Sequence, residues 1–438
     1  MIFKENIYIN LQYTKIVDLR EEVIMLKKLL GFLVCMLLTI TVFASNTSSF
    51  GQDTMLVNDD CSCMFGTISV YDSLDPDVGI YDTILEDLPP TWDWRDVNGE
   101  DWTTPIKNQF QDICGSCWAF GALAGLESYI KIWADDSSLD VDLSEQYMLS
   151  CSPGDCNGWY WSNTLNWLKK NGAIPEACLP YEADDTIPCD DKCPEWRDSL
   201  VGIDAYHKVS YNVSVIRSAL VQYGPLPCTM DVYEDFYPNY NGGVYEYTWG
   251  GFVFGHCIAI VGYNDTWGGE DEGYWICKNS WGTEWGEDGW FRIKYGECKI
   301  ERGVYYYTGP NYPPEKPQKP IGPSNGVQRE EYTYSAIGYD SDGDNIKYCF
   351  DWGEGNTSWS DFVNSGEQVL MNYTWYKRGT YMVKVKIQDE HGLESDWSDP
   401  LTVTIPRDKS FNSNYNLLER LFERFPNAFP ILRYLLRK

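Results

Sequence analysis

One heptapeptide, Cys114-Gly115-Ser116-Cys117-Trp118-Ala119-Phe120, constrains this chain of 438 residues more than any other feature. It runs directly into apolar residues whose spacings of three and four are those of a helix with one buried face: Ala119, Leu123, Leu126, Ile130 and Trp133. The pattern therefore predicts that Cys117 opens a buried helix. A thiol in that place lies at the positive end of the helix dipole, beside free backbone amides, which favours the nucleophilic thiolate.

A thiolate nucleophile requires a general base, and the sequence offers only three histidines. His207 and His391 lie in polar stretches and are expected at the surface. His256 instead precedes an apolar run of strand type, which places its ring at the edge of a buried sheet. Asn279 follows 23 residues later, just before Trp281. We expect Asn279 to orient the His256 ring while Trp281 shields their hydrogen bond from water.

These motifs resemble those of papain-family cysteine peptidases over residues 88–308, and three segments carry the likeness: 114–120, 255–263 and 278–282. The 139 residues from Cys117 to His256 match the spacing typical of the family, whereas the 162 residues to Asn279 exceed it. The resemblance implies Cys117 as nucleophile, His256 as acid and base, and Asn279 as orienting residue. It also implies an α+β fold of two lobes, one helical and one β-barrel-like.

The resemblance further implies that the oxyanion is held by the backbone amide of Cys117 and by the side chain of an upstream glutamine. Gln111 has the family's spacing of six before the nucleophile, whereas Gln109 has the family's Pro-x-Lys-Asn-Gln context. We favour Gln111, because reach to the oxyanion depends on distance from Cys117. The implied substrate-binding residues are Gly158, Trp159, Gly255 and Trp281. Trp159 stands where the family usually has a glycine, which leaves the shape of that subsite open.

Fifteen cysteines without repeated C-x-x-C pairs favour disulfides in an oxidising compartment over zinc binding, and we predict no metal and no cofactor. The family likeness implies that Cys114 bonds Cys156, which ties the helix of the nucleophile to the substrate-cleft loop. It also implies two bridges among four other cysteines: Cys151 with Cys189 or Cys193, and Cys178 with the one that remains.

Two more bridges are predicted from the strands expected in the second half of this region. The family's usual cysteine six residues before the histidine is replaced by Gly250, so Cys298 needs another partner and Cys277 is the natural candidate. Cys228 and Cys257 are expected on neighbouring strands. They can bond only if their Cα atoms lie within ~7 Å of each other.

The N-terminal region predicts export. A basic pair precedes an apolar run over residues 29–44, and small residues at its end fit signal-peptidase cleavage after Ala44. Residues 1–44 are therefore predicted to be a signal peptide, with Met25 as an alternative start. The polar, acidic segment 45–88 is predicted to be a prosegment or leader. Five sequons permit glycosylation: Asn46, Asn212, Asn264, Asn356 and Asn372.

A second domain is predicted after a proline-rich linker over residues 309–324, whose spacing favours extended polyproline conformation. Beyond the linker, alternation of apolar and polar residues, as in 381–387, predicts short strands of a β-sandwich. The segment 348–355, Tyr-Cys-Phe-Asp-Trp-Gly-Glu-Gly, resembles the signature of PKD-like domains, an immunoglobulin-like family, over residues 325–406. The resemblance implies an all-β sandwich, and we expect it to bind a cell-surface or polymer ligand.

An acidic run in this second region has part of the spacing of a calcium-binding loop. Asp340, Asp342, Asp344 and Asp351 could supply ligands, but Asn345 stands where such a loop needs glycine. We interpret the run as an ordinary solvated turn.

The charge balance limits the partners of the chain. A formal net charge of −31 repels nucleic acid, which we exclude as a ligand. The tail over residues 407–438 is the exception, since it is amphipathic and ends in basic residues. It either docks onto its own domain or attaches the protein to an envelope or sorting component, and it is too short to span a membrane.

These patterns together predict a secreted or extracellular cysteine endopeptidase that hydrolyses protein or peptide substrates through an acyl-enzyme, with no transmembrane span in the mature chain. No two of its histidines are adjacent, which disfavours the dipeptide-trimming variant of the papain family. The alternative is a surface adhesion or binding protein with an inactive papain-like domain. Loss of Cys117, His256 or Asn279 would mark that alternative, and all three residues are present.

Overall fold

The computed structural model describes residues 79–109, 114–269, 272–406 and 424. The predicted signal peptide, most of the leader, Gln111 and all of the C-terminal tail except Arg424 lie outside the described residues. Four α-helices occur within those ranges: α1 Cys117–Trp133, α2 Glu145–Cys151, α3 Trp161–Asn171 and α4 Val213–Tyr223. None of these helices is long and apolar enough to cross a bilayer.

Fifteen strands form the sheets of the described ranges. Nine begin before the predicted proline-rich linker, and the last of them includes its first three residues, 309–311: β1 Ile80–Tyr81, β2 Thr91–Asp93, β3 Gly202–Val209, β4 Leu226–Tyr233, β5 Val244–Tyr245, β6 Phe252–Asn264, β7 Tyr274–Lys278, β8 Trp290–Lys294 and β9 Tyr305–Asn311. Six follow it: β10 Glu331–Ala336, β11 Ile346–Asp351, β12 Thr357–Trp359, β13 Val369–Thr374, β14 Gly379–Asp389 and β15 Leu401–Ile405.

Helix α1 is the centre of the first lobe, and it begins at Cys117 as the apolar stripe predicts. Ala119, Leu123 and Leu126 are fully buried, because this part of the stripe faces the core. The end of the predicted stripe is not buried, since Ile130 is half-buried and Trp133 is 55% exposed. Gly121 lets the helix approach strand β6 closely, since a Cβ added there would lie 2.9 Å from the backbone carbon of Cys257. The close approach brings the start of α1 beside the strand that carries His256.

The second lobe is a six-stranded sheet in the order β2-β6-β7-β8-β5, with β4 also paired to β6. Strand β6 connects most of this sheet, because its 13 residues pair with three other strands: β2, β4 and β7. Along the described residues this strand order stays open, so the lobe is a sheet rather than the barrel-like form that the family resemblance implies. A separate three-stranded sheet, β1-β3-β9, contains the end of the predicted leader as β1.

The strands after residue 330 form a two-layered sandwich. Strands β10 and β13 make one sheet, and the order β12-β11-β14-β15 makes the other. Its core is aromatic and includes Phe350, Trp352 and Trp375, all fully buried. The predicted all-β, immunoglobulin-like sandwich is therefore confirmed, and the described residues together are of the α+β class.

The proline-rich segment is packed rather than free. Pro314, Pro317 and Pro320 are buried, and their spacing of three places them on one side of a polyproline helix. Beyond it, Leu393 of the sandwich is only 1% exposed, because it inserts into a cluster of the first lobe with Tyr147, Ile174, Cys178, Leu179 and Leu200. The sandwich is thus docked on the two-lobed domain.

The disulfides of the first lobe follow the predicted pairing. Bonds join Cys114 to Cys156, Cys151 to Cys189, and Cys178 to Cys193. These three bridges are confirmed. The first joins the residues before α1 to the loop between α2 and α3, the second joins the end of α2 to the region after α3, and the third lies within that region.

The two bridges predicted in the second lobe are wrong. Cys228 lies opposite Ile258 in the β4–β6 register, so its side chain and that of Cys257 point to opposite faces of the sheet. Cys228 remains a free thiol, while Cys257 is disulfide-bonded elsewhere. Cys277 and Cys298 are also free, because the Cys298 thiol hydrogen-bonds with Tyr245 instead.

Candidate active site

Cys117 is the first residue of α1 and is completely buried. Burial raises the pKa of its thiol to about 12, while backbone amides of Cys257, Trp118 and Cys117 itself act in the opposite direction. The helix dipole argument predicts a thiolate, but removal of the sulfur from water outweighs it here. The contact with the Cys257 backbone also places the thiol beside the residue that follows His256.

His256 lies in the middle of β6, opposite Met230 of β4, and is completely buried. Its Nε2 is 2.8 Å from Oδ1 of Asn279, which also accepts a hydrogen bond from the backbone N–H of Ser280. A carboxamide oxygen only accepts, so Nε2 carries the hydrogen and Nδ1 keeps its lone pair. Within the described part of the chain, that buried Nδ1 has no hydrogen-bond partner. The ring is therefore held in the tautomer that can receive a proton at Nδ1.

Trp281 covers the His256–Asn279 pair. Its indole stacks on the imidazole at 4.6 Å between ring centroids, with an interplanar angle of 29°. Other aromatic rings surround the indole: Phe236, Tyr237, Phe254 and Trp285. Water is thereby kept from the hydrogen bond that orients the imidazole. The same burial lowers the pKa of His256 to about 4, against a smaller effect of Asn279 that raises it.

Gln109 is buried between the two lobes. Its backbone N–H and its side-chain Oε1 bond to Ser280, at 2.8 Å and 2.7 Å, and its Nε2 donates to the carbonyl of Cys114 at 3.3 Å. These contacts place the amide group next to the disulfide and loop that precede the nucleophile. Gln111, which its spacing from the nucleophile favours as the oxyanion donor, lies outside the described residues.

The predicted substrate-binding residues occupy both lobes. Gly158 has a φ of +112°, a conformation that glycine adopts without strain, and Trp159 packs edge-on against Trp118 at 5.2 Å between centroids. Gly255 and Trp281 lie on the sheet side, with Gly255 paired opposite Asp231. The structure thus places one predicted pair near α1 and the other beside His256.

A buried ionic cluster behind the site has little signal in the sequence. Lys107 donates to Glu127 at 2.8 Å and to Glu145 at 3.0 Å, and Lys278 donates to the hydroxyl of Thr104 at 2.6 Å. Burial lowers the pKa of Lys278 to about 8. The cluster fixes the two segments that carry Gln109 and Asn279, since Lys107 lies two residues before Gln109 and Lys278 lies one residue before Asn279. Only the family's Pro-x-Lys-Asn-Gln and Lys-Asn-Ser-Trp patterns hint at its two lysines.

Comparison with known proteins finds two matching families. The family described as "Papain family cysteine protease" matches residues 88–308, and "PKD domain" matches residues 321–400. Cathepsin B-like CP2 of Giardia intestinalis is 35% identical over 233 residues, which cover 51% of this chain and 75% of that protein. Cathepsin B-like CP3 of the same organism is 39% identical over 203 residues, covering 44% and 67%. Among solved structures, proCathepsin B S9 from Trypanosoma congolense aligns with a TM-score of 0.47 and 23% identity, covering 55% of this chain and 85% of that one.

Proposed function

Because this chain belongs to the papain family of cysteine peptidases and carries a PKD domain, we propose that it is a secreted endopeptidase with Cys117, His256 and Asn279 as its reactive and orienting residues. One observation carries the assignment of these residues. Asn279 fixes the tautomer in which the buried Nδ1 of His256 has no hydrogen-bond partner among the described residues. The Cys117 thiol contacts the backbone of Cys257, the residue that follows His256.

Peptide-bond cleavage then proceeds through an acyl-enzyme. His256 Nδ1 takes the proton of the Cys117 thiol, and the sulfur attacks the carbonyl carbon of the scissile bond. The oxyanion that forms is stabilised by the backbone N–H of Cys117 and by a glutamine amide. His256 returns its proton to the leaving amine, and a water molecule, deprotonated by the same ring, releases the acid product and restores the thiol.

We assign the glutamine amide to Gln109. Its Nε2 already points at the backbone just before the nucleophile, and its Oε1 is fixed by Ser280, the neighbour of Asn279. A donor that is held in place costs no reorganisation when charge develops on the substrate oxygen. This choice reverses the preference that spacing alone gives to Gln111.

Burial works against charge on both members of the pair. Burial disfavours the thiolate of Cys117 and the imidazolium of His256 separately. Proton transfer between them creates two opposite charges at short range, whose mutual attraction in a water-poor site offsets part of that cost. The fixed backbone amides around the thiol stabilise the thiolate and so offset a further part of that cost.

Secretion and endopeptidase action have separate support. Three disulfides in the first lobe are typical of an oxidising compartment. The sequence lacks the adjacent histidines of the dipeptide-trimming variant, since its three histidines are 207, 256 and 391. Protein substrates follow from the family, and a surface or polymer ligand is proposed for the PKD domain.

The test is hydrolysis of an internally quenched peptide by the exported protein, with Cys117→Ala as the matched control. We expect cleavage within the peptide by the unmodified protein, and a rate reduced to background in the variant. The mass of the products separates internal cleavage from removal of dipeptides. Equal rates for both proteins would contradict the assignment of Cys117, and no export of the chain in a heterologous host would contradict secretion.

A further inference from the structure

The last residues of the predicted leader form part of the folded peptidase domain. Strand β1 pairs in parallel with β3, with Tyr81 opposite Val209. The backbone N–H of Lys208 donates to the carbonyl of Gly79 at 3.1 Å. The backbone N–H of Ser210 donates to the carbonyl of Tyr81 at 2.9 Å. The match to the papain family begins only at residue 88, so this strand lies outside the part of the domain that the family model covers.

Tyr81 anchors the strand in the core of the second lobe. It is only 9% exposed, and its hydroxyl donates to Gln222 Oε1 at 2.9 Å. Its ring packs edge-on against Tyr223 and Tyr306, at 5.5 Å and 5.6 Å between centroids. Those two rings stack on each other at 3.9 Å, and the ring of His207 stacks on Tyr306 at 4.9 Å. Removal of β1 would therefore expose an aromatic stack to water, which is unfavourable.

The chain between β1 and β2 is held at two further points. The backbone N–H of Leu85 donates to Ser218 Oγ of α4 at 2.9 Å. The carbonyl of Pro89 accepts a hydrogen bond from the hydroxyl of Tyr263 at 2.6 Å. Three residues separate Tyr81 from Leu85, and three separate Leu85 from Pro89. Spans so short cannot enter the cleft of a peptidase as extended chain while both of their ends stay bound, so cleavage within them requires local opening first.

We propose that the precursor is cleaved on the N-terminal side of Gly79, so that residues 79–88 stay attached to the mature enzyme as part of its fold. The inference rests on the proposed function, because it needs a precursor that loses its leader. Hydrolysis takes up one water molecule. The carbonyl carbon gains the hydroxyl and becomes the carboxyl end of the released leader, while the nitrogen gains the other hydrogen and becomes the new amino terminus. The end of the leader thereby moves from residue 88 to a bond before residue 79.

The covalent link keeps β1 in place better than contacts alone would after a cut at residue 88. A separate peptide loses translational and rotational freedom when it binds, whereas an attached strand pairs within one molecule. The anchors at Tyr81 and Leu85 are few for an independent peptide. After such a cut β1 would leave the edge of β3, and the backbone N–H groups of Lys208 and Ser210 would lose their partners.

The first experiment determines the N-terminus of the mature enzyme. The exported chain is left to process itself, and intact mass with N-terminal sequencing identifies the first residue of the active form. We expect that residue at or before Gly79, with Tyr81 retained. A mature chain that begins after Gly79 would overturn the proposal.

Limited proteolysis tests the anchors without the peptidase activity of the chain itself. Subtilisin, which has a broad sequence preference, is added to the full chain with Cys117→Ala, and the fragments are identified by mass. We expect trimming of the leader to stop before residue 79, because cleavage of a folded segment follows the population of its opened form. Cleavage between residues 79 and 89 as fast as cleavage upstream would overturn the proposal. This result is decisive even if the unmodified chain shows no activity, which would contradict the proposed function alone.

Variants in the same Cys117→Ala background test the role of Tyr81. Tyr81→Ala removes the buried ring, so cleavage between residues 79 and 89 should become at least ~10-fold faster. Ile80→Ala is the matched control, because Ile80 belongs to the same strand but is 63% exposed, and it should change that rate less than ~2-fold. Tyr81→Leu replaces Tyr81→Ala in this comparison if circular dichroism shows the alanine variant to be unfolded. Equal rates for the Tyr81 and Ile80 variants would overturn the anchoring role.

Discussion

Asn279 Oδ1 and His256 Nε2 lie 2.8 Å apart beneath the indole of Trp281. The bond joins strand β6 to the segment after β7, two neighbours in one sheet, so the ring orientation depends on the register of that sheet rather than on a mobile loop. Ser280 N–H holds the same amide oxygen at 2.8 Å, which leaves Asn279 little freedom to turn away. The backbone pairing of β6 and β7 therefore fixes the position of the His256 imidazole.

The first prediction concerns Asn279. Asn279→Ala should lower kcat/KM by ~100-fold, because His256 loses the acceptor that selects its tautomer, and general acid-base catalysis contributes 10²- to 10⁴-fold. Asn279→Asp keeps an acceptor in place and should recover part of the loss, with its pH profile displaced because a carboxylate favours the imidazolium. Initial rates across pH 4–9 with a peptide substrate measure both effects. Equal activity of the two variants at every pH would contradict an orienting role.

The second prediction separates the two glutamines. Gln109→Ala should reduce kcat by ~10²- to 10³-fold with little change in KM, since an oxyanion donor acts mainly on the transition state. Gln111→Ala should change kcat by less than ~3-fold. Full steady-state kinetics of both variants, with circular dichroism to verify folding, decide the matter. The opposite ranking would return the role to Gln111.

The third prediction follows from the burial of His256, which lowers its pKa to about 4 in the folded chain. The ordinary histidine pKa is ~6.5, so between the two values the unfolded state binds more protons and folding stability rises with pH. Protonation of His256 should therefore cost roughly 3 kcal/mol of stability as the pH falls from above 6.5 to below 4. Other groups titrate in the same window, so a difference between variants is needed.

Chemical denaturation of Cys117→Ala and of Cys117→Ala/His256→Gln across pH 3.5–7.5 isolates that contribution. The double variant should lose the His256 part of the pH dependence, and the difference between the two curves should be largest at neutral pH. Parallel curves would show that His256 titrates alike in the folded and unfolded chains.

The elements around the site are largely predictable from local pattern. The start of α1 at Cys117 follows from a stripe of period 3.6, which gives a helix one buried face. The strand after His256 follows from a continuous apolar run, which fits a strand buried on both faces. The bridge between Cys114 and Cys156 follows from the family resemblance, and geometry agrees with it.

Features that depend on register or on distant neighbours could not be read in this way. Cys228 and Cys257 lie on adjacent strands, but a shift of one residue decides which face a side chain occupies, and no local pattern states that register. In the acidic turn, Ser341, Asp342 and Gly343 are exposed as the sequence predicts, but the burial of Asp340 and the contacts between the two domains have no local signal. The bond between Asn311 and Asp389, for example, spans 78 residues.

The last prediction tests the docking of the PKD domain through Leu393. Leu393→Ala should destabilise the chain by about 2–5 kcal/mol, because it removes a buried side chain from the cluster that contains Tyr147 and Leu200 and leaves a cavity. Leu370→Ala is the matched control, since Leu370 belongs to the same domain but is 66% exposed, and it should change stability by less than about 0.5 kcal/mol. Both are measured by urea unfolding in the Cys117→Ala background. A similar, small effect of the two substitutions would mean that the domains separate in solution, because Leu393 would then be exposed to water in the folded protein as well.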